Sequence, residues 1–221
     1  MKSVSVYCAS SQNLEPCFHD AAKIIGKGLA QRDLTLVYGG GCIGLMGEVA
    51  TIAAHHGGEV VGVITHKLVA HEQANEDCDE LIVVDTMQER RTLMMARGDA
   101  FIVLPGGIGT YEEFFEVLVG RQLGDHTKPV GIVNVDGYFD PLLAMLEHGI
   151  ERNFMRPALR QLMFIDPCPD AVLDYITSGA IDQPSPEDIL PMHVKKTTLE
   201  INDPRGSFLL HSVAGTRNPA A

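Results

Sequence analysis

Short apolar runs rich in β-branched residues recur along the chain, and stretches with helical spacing separate them. Val4–Cys8, Leu34–Tyr38, Val60–Ile64, Leu81–Val84, Ala100–Leu104 and Val130–Val135 read as strands. Nearly continuous hydrophobic runs of this length belong where both faces of a sheet are covered. Phe18–Gln31, Leu45–His56, Met87–Ala96, Tyr111–Leu123 and Pro141–His148 carry apolar positions at helical intervals. Gly57 and Gly58 follow His55 and His56 and mark one helix end. Strands alternating with helices predict an α/β fold over residues 1–182: a doubly wound, mostly parallel, Rossmann-like sheet with helices on both faces. Such sheets bind ligands at the carboxyl ends of their strands, where the strand order reverses. Two glycine-rich turns lie at strand ends of this kind.

The segment 183–221 breaks the pattern. It holds Pro184, Pro186, Pro191 and Pro204 with weak periodicity, and reads as a C-terminal extension. It either adds a strand near Thr197–Ile201 or stays partly irregular.

Composition narrows the function classes. The 221 residues are 45% apolar and 21% charged, as in a soluble globular domain. No apolar run approaches the roughly 20 residues of a membrane span, and the N-terminus reads as a first strand rather than a signal peptide. Net charge is −12, and the extension balances four acids against four bases, so the excess sits in the first 182 residues. That argues against nucleic acid as a partner, since backbone binding needs a basic surface. The five cysteines are dispersed and odd in number, with no Cys-x-x-Cys pair, which fits reduced thiols in a cytoplasm.

The first glycine turn, "VYGGGCIGLMGEV", contains Gly39, Gly41 and Gly44 in the dinucleotide spacing. An acid about 20 residues on should then grip a ribose from the end of the next strand. Glu59 stands at the start of that strand instead, so an NAD-linked reading fails. Gly39, Gly40 and Gly41 in succession exceed what helix packing needs, and close approach of a ligand accounts for them. In the second turn, "LPGGIGTYEE", Gly106, Gly107 and Gly109 free backbone amides for an anion such as a phosphate, and Thr110 adds a hydroxyl. Glu113 has two readings here. With Thr110 as N-cap it completes a capping box at N3; alternatively it serves chemistry beside the anion.

Arg90, in "TMQERRTLMMARGDAF", falls on the apolar stripe of Met87 and Met94. An inward arginine is costly unless it meets an anion. His66, His71 and Cys78 show no metal-ligand spacing, and no metal is expected. Lysine-based cofactor chemistry would need a pocket lysine, and Lys67 and Lys128 are expected to stand clear of both glycine turns. Ser10 and Ser11, after the first strand, either line the pocket or form an ordinary turn.

The stretch "MQERRTLMMARGDAFIVLPGGIGTYEEFFE", with "YGGGCIGLMG" upstream, closely resembles the LONELY GUY family of cytokinin riboside 5′-monophosphate phosphoribohydrolases, over roughly residues 1–180. The resemblance implies hydrolysis of the N-glycosidic bond of adenosine-type nucleoside 5′-monophosphates, with no metal or other cofactor, by a homodimer whose site draws on both copies. It places the catalytic pair on Arg90 and Glu113. It places substrate contacts on Glu72, Arg91, Gly107, Ile108, Gly109, Thr110, Tyr111, Glu112 and Glu113. Two positions depart from the plant pattern: Arg91 replaces a lysine, keeping charge but changing donor geometry, and Val119 replaces a threonine that contacts ligand. The alternative is a carrier of the same fold that binds a nucleotide or cofactor without hydrolysis. A carrier has no need of Arg90 and Glu113 together.

Overall fold

The computed structural model describes residues 1–69, 74–179, 184–189, 195–200 and 209–214. The chain runs β1 (Ser3–Tyr7), α1 (Pro16–Gln31), β2 (Thr35–Tyr38), α2 (Gly44–His55), β3 (Val60–Thr65), the single turn α3 (His66–Val69) and β4 (Glu80–Val84). It continues through α4 (Met87–Arg97), β5 (Ala100–Val103), α5 (Ile108–Leu123), β6 (Val130–Val133), α6 (Asp140–Glu151), β7 (Phe164–Asp166) and α7 (Pro169–Thr177). The short α8 (Pro186–Ile189) precedes an antiparallel pair, β8 (Lys195–Glu200) and β9 (Leu209–Ala214).

β1 to β7 form one parallel sheet in the order β4-β3-β2-β1-β5-β6-β7. The chain winds outward from β1 to β4, then returns to lay β5 on the other side of β1. The reversal opens a crevice at the carboxyl ends of β1 and β5. Alternate side chains feed two cores. Val4, Val6, Ala100 and Ile102 pack on the α1, α2 and α7 side, while Tyr7, Phe101 and Val103 pack on the α4, α5 and α6 side. Each large apolar side chain so buried contributes about 1.5–3 kcal/mol, which explains why the central strands read as unbroken apolar runs.

α4 opens on a capping box: the Thr86 hydroxyl accepts from the Glu89 amide at 3.1 Å, and the Glu89 carboxylate accepts from the Thr86 amide at 3.1 Å. The Ser5 hydroxyl fastens this helix to β1 by donating to the Met94 carbonyl at 2.7 Å. α5 starts at Ile108, three residues before the periodicity implies, with extended Gly107 as N-cap and no side-chain cap. The capping-box reading of Thr110 and Glu113 is therefore incorrect. Thr110 is the third residue of the helix, its hydroxyl packed so closely on Gly106 that a β-carbon there would lie 2.1 Å from it. β7 and α7 complete the sheet and its cover beyond the elements the pattern predicts. No helix among the described residues is long and apolar enough to cross a membrane.

Candidate active site

A cavity of about 380 Å³ lies at the reversal point, lined by the loop after β1, by Gly39 after β2, and by Gly107, Ile108, Gly109 and Thr110 after β5. Ser10 and Ser11 both line it. Backbone bonds set these loops against one another: the Ala9 amide donates to the Pro105 carbonyl at 3.1 Å, and the Met46 amide donates to the Ala9 carbonyl at 3.3 Å. The Tyr138 hydroxyl donates to the Gly106 carbonyl at 2.6 Å, and the Tyr111 hydroxyl donates to Tyr138 at 3.4 Å. Burial, then the bond from Tyr111, pushes the Tyr138 phenol up to about 12, so it remains a donor at neutral pH. Gly107 and Gly109 face open space, where a β-carbon would meet nothing within 4 Å. Together with the first turn of α5 they present backbone amides and the positive end of a helix to the cavity, a favourable place for an anion.

Arg90 and Glu113 meet at the cavity wall. The Arg90 Nη1 donates to the Glu113 Oε1 at 3.1 Å, and both residues are buried. Arg90 also donates from Nε to the Val63 carbonyl at 2.9 Å and from Nη2 to the Gly39 carbonyl at 3.3 Å. An ion pair taken out of water costs several kcal/mol per ion unless its remaining groups are satisfied. The carbonyls of Val63 within β3 and of Gly39 after β2 supply that satisfaction and fix the guanidinium plane. Gly39 is glycine for this reason: a β-carbon there would lie 2.2 Å from Arg90 Nη2. Tyr7 lies beside the pair; burial first, then the charges of Glu113 and Glu116, hold its phenol well above its usual range, so it stays neutral.

The other sequence-derived candidates divide. Ile108 stands at the cavity rim, 83% exposed. Gly40, Gly41, Arg91, Tyr111 and Glu112 are not among the lining residues. Gly40 (φ +77°) packs against Val63 and Ile64, and Gly41 forms a bridge with Ala74. Arg91 spans the seam between α4 and α5, reaching Glu112 and Glu116 at 3.0 Å each. Glu72 lies outside the described residues. Lys128 turns its ammonium to the Met95 carbonyl at 2.7 Å, clear of the cavity, as expected. Lys67 is different, for it lines the same cavity as both glycine turns. Met46, Met87 and Met94 from the motif segments also line it, as do Thr65 and Leu68, which lie outside them.

The family model described as "Possible lysine decarboxylase" matches residues 46–176. A protein of Oryza sativa subsp. japonica named probable cytokinin riboside 5′-monophosphate phosphoribohydrolase is 41% identical over 195 residues, covering 88% of this chain and 75% of its own. An Arabidopsis thaliana protein named cytokinin riboside 5′-monophosphate phosphoribohydrolase is 42% identical over 167 residues, covering 75% and 78%. The chain belongs to the LONELY GUY family. Among solved structures, a molybdenum cofactor binding protein from Rippkaea orientalis superposes with a TM-score of 0.62 at 21% identity, covering 80% of this chain and 96% of that one. At that identity the likeness establishes the fold alone. The paired segments that carry the resemblance, E-R-R on α4 and P-G-G-x-G-T-x-x-E into α5 in this chain, build the cavity wall from Arg90 and Glu113.

Proposed function

We propose that the protein hydrolyses the N-glycosidic bond of adenosine-type nucleoside 5′-monophosphates, including N6-modified cytokinin forms, to free base and ribose 5-phosphate. The observation that carries this reading is the buried Arg90–Glu113 pair beside a glycine turn with open amides. The turn and the first residues of α5 hold the 5′-phosphate, and Thr110 adds its hydroxyl to that end of the cavity. The ribose then lies along the wall where Glu113 stands. Breaking the bond from C1′ to the base builds positive charge on the sugar ring, as in glycoside hydrolysis. The Glu113 carboxylate stabilises that charge and orients a water for attack on C1′. Water's oxygen bonds to C1′, the departing base takes the bonding electron pair, and the proton released by water balances the base. Arg90 is committed to Val63, Gly39 and Glu113, which supports orientation of the carboxylate as its role. Phosphate binding away from the reacting bond fixes the sugar, so nucleotides should be cleaved and nucleosides largely ignored.

The acting unit in this reading is a cytoplasmic homodimer, with residues 183–221 as an extension outside the hydrolase domain. Ile108, Val119 and Leu123 form an exposed apolar stripe on α5, and a second copy seated there would meet the Arg91–Glu112 seam. That arrangement gives Arg91, Tyr111 and Glu112 a route to the substrate through the assembled site.

Incubation with AMP, isopentenyladenosine monophosphate and the matching nucleosides, with chromatography of the products, tests the proposal. Base release from the monophosphates alone, unchanged by chelator, supports it. Tight nucleotide binding without base release would establish the carrier reading instead.

A further inference from the structure

The mechanism above uses one end of the cavity. Across the switch point the sheet runs β5-β1-β2-β3, three strand spacings or about 14 Å. A nucleotide whose phosphate lies at the β5 turn therefore reaches with its base toward the end of β3. The lining there comes from other elements: Met46 of α2, Thr65 of β3, Leu68 of α3, and Met87 and Met94 of α4. Besides Lys67, whose side chain is exposed, this wall carries one polar group, and it is buried.

That group is Thr65. It is 2% exposed, and among the described residues its Oγ1 has no hydrogen-bond partner. Val63 and Thr65, two apart on one strand, point to the same face, the face α4 covers and to which Arg90 is tied through the Val63 carbonyl. An orphaned hydroxyl in a hydrocarbon wall is costly to the empty protein. A threonine kept at such a position has a use when the cavity is filled.

We propose that Thr65 is a specificity-determining residue at the base end of the cavity: its hydroxyl selects nucleoside monophosphates whose base carries an apolar substituent ending in a hydroxyl. The methionines and Leu68 enclose the hydrocarbon part, and their thioethers adapt to its shape. The substituent's hydroxyl and the Thr65 hydroxyl satisfy each other. A site built to bond a substrate hydroxyl discriminates against the analogue lacking it, because the protein's own group is then left unpaired. This rests on the hydrolase reading for the orientation of the nucleotide.

The test compares Thr65→Val, which keeps the shape and removes the hydroxyl, with Thr65→Ser. Substrates are AMP, N6-isopentenyl-AMP and its side-chain-hydroxylated form. The wild type should favour the hydroxylated substrate over the isopentenyl one by about tenfold in kcat/KM. Thr65→Val should erase that ratio and unfold at no lower temperature, and Thr65→Ser should keep the ratio. Calorimetric affinities of the same three ligands, in proteins that also carry Glu113→Gln, should follow the same order. Uniform loss on all three ligands, an unchanged ratio in Thr65→Val, or a clear drop in its unfolding temperature would overturn the assignment. Failure of the wild type to release base from any of them would remove the hydrolase reading, and the calorimetric order would still decide whether Thr65 selects.

Discussion

The sequence leaves two roles open for Glu113, and its surroundings exclude one of them, the capping box. The helix begins at Gly107–Ile108, so Glu113 lies beyond the first turn and has no orphan amide to cap. Its partner is Arg90, in a wall where charge is costly. Glu113→Gln should therefore abolish base release, by at least about three decades in kcat, while the amide still accepts from Arg90 and the protein stays folded. Near-normal turnover, or gross unfolding seen by circular dichroism, would remove Glu113 from the chemistry. That Arg90 needs an anion was legible in the sequence from the stripe of Met87 and Met94, whereas its pairing with Glu113 was implied only by the family resemblance. Thr65 and Lys67 were not legible: a threonine at a strand end and a lysine after it have no spacing to mark them, and only the fold brings them to the cavity.

At the scale of elements, α4 carries two arginines in opposite surroundings. Arg90 is buried and tied to the Val63 and Gly39 carbonyls, whereas Arg97 is exposed and pairs with Glu80 at 2.9 Å. Arg90→Ala should lose most activity, and Arg97→Ala should keep it, since an exposed pair is worth roughly 0–1 kcal/mol. Equal losses in parallel assays would indicate general damage to the helix. The β5–α5 turn depends on a neighbour instead. Tyr138 holds the Gly106 carbonyl, so Tyr138→Phe should loosen the turn, raising KM about tenfold for the loss of one buried bond and weakening competition by inorganic phosphate. A change in kcat alone, with phosphate inhibition intact, would count against that role. Element existence was readable wherever both faces of a strand are buried. β7 escaped because it is a three-residue edge strand, only half-buried, set among Pro157, Pro167 and Pro169. The start of α5 escaped because a glycine N-cap leaves no capping side chain to read. In the extension, where either a strand near Thr197–Ile201 or irregular chain was expected, β8 runs over Lys195–Glu200 and Ile201 lies outside the described residues; its partner β9 had no signal.

For the whole molecule, stability and assembly each have a handle. His126 accepts the Lys128 amide at Nδ1 and donates from Nε2 to the Val117 carbonyl, which requires the neutral ring. Burial, then the nearby Lys128 and Arg121 charges, lowers its pKa in the folded state. The unfolded chain therefore binds the extra proton first as pH falls below about 6.5, and stability declines with acidification in that window. Urea midpoints at about pH 5.5 and about 7.5 should differ less in His126→Gln than in the wild type; an identical slope would exclude His126 as the source. In the proposed homodimer, assembly turns on the α5 stripe. Ile108, Val119 and Leu123 stand 83%, 46% and 58% exposed along one helix that begins at the cavity rim. Water-facing apolar groups aligned this way are better accounted for by a second copy than by solvent. In that proposal, two-fold pairing also accounts for Arg91 and Glu112, outside the cavity of one chain, occupying the seam beside that stripe. Val119→Lys on both copies would bring like charges into an apolar contact, and should convert a dimer to a monomer in light scattering. Because Ile108 joins the stripe to the rim, the monomer should also show a raised KM for the nucleotide while its circular dichroism stays that of a folded chain. A monomeric wild type, or a Val119→Lys protein that remains dimeric with unchanged KM, would place the partner surface elsewhere and leave the site complete within one chain.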